Sequence, residues 1–135
     1  MEIFTALSCD ISQGNPYLVR VLNFQLIPKP GVNGVDIAVT GIPFDQAVSH
    51  RSGTRMGPEG IRKASAENAW GPFWPWNFDP FDTLAVIDYG DCFFDWGRKE
   101  DFPQRLEDHA TEIISSGAEM ISLGGDHYVT YPLLR

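Results

Sequence analysis

Three short apolar runs, rich in β-branched residues and separated by stretches with helical spacing, constrain the fold of this chain more than any other feature. Val35 to Ile42 reads VDIAVTGI, Leu84 to Asp88 reads LAVID, and Ala118 to Leu123 reads AEMISL. Such runs are too brief for buried helices and lack the strict alternation of a half-exposed strand, so each is predicted to be a buried strand.

The intervening stretches carry helix signals. Gly57-Pro58 puts a proline at a first helical position, and Ile61, Ala64 and Ser65 follow at one-turn spacing. Further on, Asp101 is placed to cap a second helix with Gln104 as its capping-box partner. Leu106, Ala110, Ile113 and Ile114 supply its apolar face, and Gly117 stops it. Strand, helix, strand, helix, strand predicts an α/β chain with right-handed crossovers and a parallel sheet, whose ligands sit beyond the carboxyl ends of the strands. The loops at 43–57, 89–99 and 124–130 fall on that edge. Trp70 to Phe81 (WGPFWPWNFDPF) has too many prolines and rings for a regular element and reads as an excursion packed by its own aromatics. Residues 1–14 carry no clear pattern and are expected to be loosely ordered.

Composition removes several function classes. The chain has 135 residues, 43% hydrophobic and 21% charged, as in one globular domain or a piece of one. A net charge of -8 with only 10 basic residues argues against nucleic-acid binding, which needs clustered Lys and Arg. Neither a membrane-spanning run nor a signal peptide is visible, so the expected compartment is the cytoplasm. Cys9 and Cys92 are far apart and outside any CxxC spacing, so both read as free thiols.

The most informative motif is Leu123-Gly124-Gly125-Asp126-His127. It sets a histidine directly past a strand terminus, where two glycines allow a tight turn. Two readings stand side by side. The imidazole of His127 can bind a divalent ion, or Asp126 caps the next helix while His127 packs beside it. One histidine is not a metal site, because such sites draw on about three or four protein ligands, and no HxxH, HExxH, DxH or DxD occurs elsewhere.

From about Asn15 to Arg135 the chain resembles the agmatinase branch of the ureohydrolases, the arginase family. The resemblance runs through Val21-Leu22-Asn23-Phe24, GIPFDQAVSHRSGTRMGPEGIRKAS, AWGPFWPWNFDPFDTLAVIDYGD and LGGDHYVTYPLLR, in the family's order. It implies a parallel-sheet, three-layer α/β arginase-type fold, with 15–135 as the amino-terminal portion of a single domain roughly twice this length. It also implies His127 as the first ligand of a two-manganese centre, the other ligands coming from later DAHxD and DxD segments that this sequence lacks. By the same resemblance the activity is hydrolysis of agmatine to putrescine and urea, by enzymes that assemble as trimers or hexamers. A sister guanidino-acid ureohydrolase such as guanidinobutyrase, or a non-catalytic remnant that acts as an interaction partner, are the other readings.

The chemistry explains the metal. A guanidinium carbon is a poor electrophile and neutral water a poor nucleophile, and a metal pair lowers the pKa of bound water toward neutrality. Manganese prefers carboxylate oxygens with some imidazole, so His127 alone is expected to bind it weakly and these 135 residues to be inactive. Leu133 and Leu134 are expected to lack the downstream strands they would pack against.

Other polar residues receive structural roles. Arg51 and Arg55 are expected to anchor loops through carboxylates, since arginines repel a cationic guanidinium. Asp88 and Asp91 should satisfy backbone donors at a strand end, and Asp126 should orient His127 or cap the turn. His50 is given no catalytic part, and His109, among polar neighbours, reads as surface.

Overall fold

A computed structural model describes residues 32–67, 75 and 77–135. The expectations for residues 1–14, for Cys9 and for most of Trp70–Phe81 fall outside those residues. Of that aromatic segment, Phe78 is exposed, which departs from rings packed on one another, and Pro80–Asp82 forms a 3-10 turn.

The predicted alternation is present. β1 (Ile37–Ile42), α1 (Gly57–Glu67), β2 (Val86–Asp91), α2 (Phe102–Ile114), β3 (Glu119–Gly124) and a short α3 (Thr130–Leu133) follow in order. The three strands form one sheet in the order β2-β1-β3, and both pairings are parallel. All three carboxyl ends therefore share one edge, and the segments after Ile42, Asp91 and Gly124 lie on it.

One face of this sheet is sealed by α2. Its inward stripe is Phe102, Leu106, His109, Ala110 and Ile113, spaced by three and four residues as a helix face requires. Ile113 joins Val35, Ala38, Ile87, Tyr89 and Ala118 in one cluster. Phe102 and Leu106 join Ile42, Phe44, Cys92, Phe94 and Val129 in another beneath the carboxyl edge. At about 25 cal/mol per Å² of apolar surface, each large side chain here contributes on the order of 2 kcal/mol. Leu133 packs against the second cluster, and Leu134 is exposed.

Several expectations are corrected. β2 begins at Val86, and its pairing runs on through Gly90 and Asp91, past the predicted end at Asp88. Asp101 does not cap α2 with its side chain. It already has helical dihedrals at the end of a 3-10 turn, whereas a capping side chain folds back from extended backbone, and its carboxylate pairs with Arg98 instead. Gln104 consequently bonds Asp108. Ile114 points out, one residue off the buried stripe, and Ile61, Ala64 and Ser65 of α1 are exposed. α1 instead turns Pro58 and Arg62 toward the sheet. Gly117 ends α2 as predicted, with φ 91°.

The largest correction concerns His109, which is 6% exposed. Its Nε2 lies 2.7 Å from Thr40 Oγ1, and that hydroxyl donates to Gly90 O at 2.9 Å. With the hydroxyl proton committed, Nε2 of His109 must be the donor, which fixes the tautomer. Gly90 sits at a bulge. Val39 pairs with Asp88 and Thr40 with Gly90, leaving Tyr89 as the extra residue, and Gly90 takes φ 81°. The Tyr89 ring lies 5.4 Å from that of His109. Burial, with a hydrogen bond to Glu112 and its negative charge, pushes the phenol up to about 12.

Candidate metal-binding edge

The segment after β3 is built around Asp126. Its backbone is extended, as an N-cap requires, and its carboxylate accepts from Tyr128 N at 3.0 Å, capping the turn His127–Val129. The other carboxylate oxygen accepts from Ala47 N at 2.7 Å, and Asp126 N donates to Phe44 O at 2.7 Å. Two of these bonds, Ala47 N to the carboxylate and Asp126 N to Phe44 O, staple the loop after β1 to the turn that begins with His127. The imidazole of His127 is left exposed on the carboxyl edge.

Neither glycine before Asp126 is among the described glycines with positive φ, and it is Gly125 that serves this close approach. A Cβ on Gly125 would fall well inside 3.0 Å of the Phe44 carbonyl oxygen and 2.8 Å from the Phe44 carbonyl carbon and nitrogen. Gly57, at the start of α1, is similarly close to Gly124, with 3.0 Å from its would-be Cβ to the Gly124 oxygen.

A ring cluster supports the edge from below. Phe44 stacks on Phe102 with centroids 3.9 Å apart, and it also meets Phe94 at 5.7 Å and Tyr128 at 5.8 Å. One ring from each carboxyl-edge loop and one from α2 therefore share a core.

Two arginines lock the remaining carboxylates. Arg55 donates from Nε to Asp45 Oδ2 at 2.7 Å and lies 4.7 Å over the Trp96 ring. Asp45 Oδ2 also accepts from Gly53 N at 2.8 Å. The Arg55 hydrogen bond outweighs burial and, with the Gly53 and Arg55 backbone donors, holds the Asp45 carboxyl below the usual carboxylate range. Asp45 Oδ1 is buried without a hydrogen-bond partner among the described residues. The expected loop anchor is thus seen for Arg55, whereas Arg51 and His50 are exposed.

Arg62, which sequence reasoning passed over, joins α1 to β2. Its Nε and Nη2 take Asp88 at 2.6 and 2.9 Å, and Nη1 takes Asp91 at 2.6 Å. Burial alone disfavours the Arg62 cation, but the two carboxylates more than offset it and the net shift is upward. Asp88 also accepts from Gly90 N at 2.9 Å, so the expectation of a backbone-satisfying aspartate holds for Asp88 and is incomplete without Arg62. Arginines thus balance the charges of Asp45, Asp88 and Asp91 within this chain.

Among the described residues there is no group of three or more His, Cys, Asp or Glu that could hold a metal ion. The described residues therefore do not by themselves fit a two-manganese centre. Cys92 is buried and its thiol donates to Arg105 O at 4.0 Å. No described helix is long and apolar enough to cross a membrane.

Comparison with known proteins decides the family. The model of the arginase family matches residues 35–135. This chain belongs to the arginase family. It is 54% identical over 103 residues to an agmatinase of Chromobacterium violaceum, covering 76% of this chain and 32% of that protein. It is 45% identical over 126 residues to an agmatinase of Neisseria meningitidis, covering 93% of this chain and 40% of the relative. A crystal structure of a hypothetical agmatinase from Burkholderia thailandensis superposes with TM-score 0.74 at 51% identity, over 76% of this chain and 32% of that one. The proclavaminate amidino hydrolase of Streptomyces clavuligerus superposes with TM-score 0.69 at 28% identity, over 81% and 36%. The arginase-type α/β fold is thereby shown, and the chain spans about a third to two fifths of the length of these relatives.

Proposed function

We propose that this chain is part of an agmatinase-type ureohydrolase that converts agmatine to putrescine and urea with manganese as its metal, His127 being one ligand of the metal pair. The observation that carries this reading is the placement of His127. Its imidazole stands exposed past the carboxyl end of β3, on a turn held by Asp126, Phe44 and Ala47. A ligand on a parallel sheet is expected at that edge. The arginase-family match and the agmatinase relatives supply the reaction class. Assembly as a trimer or hexamer and a cytoplasmic location belong to the same proposal.

The reading separates the chain from the whole catalyst. With one ligand available, the 135 residues alone should release no urea from agmatine in millimolar manganese, and measurable turnover would contradict the single-ligand assignment. Reading the coding sequence past the Arg135 codon for DAHxD and DxD tests whether the other ligands are encoded with it. In a protein that carries those segments, agmatine should be the preferred substrate, and a preference for 4-guanidinobutanoate would replace it with a guanidino-acid ureohydrolase.

A further inference from the structure

The loop after β1 reaches the histidine-bearing turn through a short span. Phe44 O accepts from Asp126 N and Ala47 N donates to the Asp126 carboxylate, each at 2.7 Å, so the staple rests on residues 44–47. Asp45 lies between those two contacts, and its own side chain is held from further along the loop. Its Oδ2 accepts from Gly53 N at 2.8 Å and from Arg55 Nε at 2.7 Å.

An exposed ion pair is worth little, so the burial of one partner decides the weight of this one. The Arg55 side chain is 43% exposed, but that of Asp45 is 0% exposed, and its Oδ1 has no hydrogen-bond partner among the described residues. Removing the guanidinium leaves a buried carboxylate with backbone donors alone, and water reaches it only if residues 44–47 move. That movement draws Phe44 O and Ala47 N away from Asp126. Arg55 is held in turn by the face of Trp96, in the loop after β2, with 4.7 Å from its central carbon to the ring. Trp96 tilts against Phe94, a member of the core cluster beneath the edge, at 4.8 Å. The loops after β1, β2 and β3 are thereby joined in one line that runs Trp96, Arg55, Asp45, Asp126, His127.

We propose that Arg55, seated as a planar cation between Asp45 and Trp96, is a positioning residue for His127 and acts on it through Asp45 and Asp126. Its value to the protein rests on the reading of His127 as a ligand, whereas the mechanical link does not. A buried carboxylate beside an indole face suits a flat, weakly hydrated guanidinium better than a compact, strongly hydrated ammonium.

The test follows amide exchange and the His127 ring signals of the 135-residue chain by NMR. Arg55→Ala should speed exchange at Asp126 and Ala47 about tenfold and displace the His127 ring signals, while Ile113, in the other core cluster, keeps its parent rate. Guanidinium chloride at tens of millimolar should restore both readouts, and ammonium chloride at the same concentration should not. Trp96→Leu keeps the ion pair and should give a smaller change in the same direction, and it carries the test if Arg55→Ala does not fold. Neither a metal ion nor agmatine enters these readouts, so the link can fail while the ureohydrolase reading stands, and the reverse. Unmoved Asp126, Ala47 and His127 signals overturn the proposal. Exchange quickened equally at Ile113 also overturns it, because the ion pair is then a general stabiliser of the fold, as does a rescue that fails or that ammonium performs as well.

Discussion

Replacing Gly125 with alanine tests whether the loop after β1 and the histidine-bearing turn form one rigid edge. The new Cβ would stand 2.8 Å from the Phe44 carbonyl carbon and closer still to its oxygen, both of them backbone atoms. Ordinary contact begins near 3.4 Å, so the carbonyl carbon must retreat by about 0.6 Å and the oxygen further. That oxygen accepts the 2.7 Å bond from Asp126 N, and Ala47 N, three residues on, donates to the Asp126 carboxylate at 2.7 Å. Losing the first bond costs about 1 kcal/mol and the second, to an ionised acceptor, about 2 kcal/mol. A total near 3 kcal/mol corresponds to a fall in melting temperature of more than about 10 °C for a domain of this size. Circular dichroism melts of the chain measure it, and faster amide exchange at Ala47 and Asp126 locates it. Gly124→Ala is the control, because its Cβ meets only Val129 Cγ2 at 3.5 Å and should cost less than about 1 kcal/mol. Equal melting temperatures for Gly125→Ala and the parent chain, or a Gly124→Ala variant as damaged as Gly125→Ala, would refute the steric argument.

Thr40→Val leaves the His109 Nε2–H and the Gly90 carbonyl without their shared partner and should cost about 2 kcal/mol, with loss of a slowly exchanging imidazole N–H in proton NMR. Arg62→Ala strips three hydrogen bonds from Asp88 and Asp91 and should cost about 2 kcal/mol, and Arg62→Lys should recover less than half in urea titrations because a point charge cannot span both carboxylates. The Tyr89 phenol is raised from 10.0 to about 12, so its contribution is complete below pH 10 and is lost as pH rises toward 12; Tyr89→Phe should flatten that alkaline limb. The Asp45 carboxyl is lowered from 3.8, so its contribution is complete above that pH and fades as pH falls through the lower folded value, a loss that Asp45→Asn should remove from acid titrations.

The strands and helices were legible because apolar periodicity reflects burial, and burial here is dominated by one sheet and one helix face. The position of the GGDH segment was legible because a histidine directly past a parallel strand must fall at the carboxyl edge of the sheet. Both misjudged histidine and glycine roles have a common source. His109 was read from its polar sequence neighbours, although Leu106 and Ile113 at three and four residues' distance place it on the buried stripe of α2. Gly125 was read as a turn residue, whereas its constraint comes from Phe44, a residue remote in sequence.

Arg62 shows the same limit more sharply. Nothing near it in sequence marks it, because its partners Asp88 and Asp91 belong to the next strand and are reached only after the chain has crossed over the sheet. Those partners, like Asp45 with Arg55, are carboxylates at the edge where metal ligands would be sought, and each is already answered by a guanidinium. Beside His127 the capping carboxylate, Asp126, is likewise occupied, here by two backbone donors. Carboxylates of the kind manganese prefers are thus already engaged at Asp45, Asp88, Asp91 and Asp126, so the proposed ligand role falls on the His127 imidazole alone.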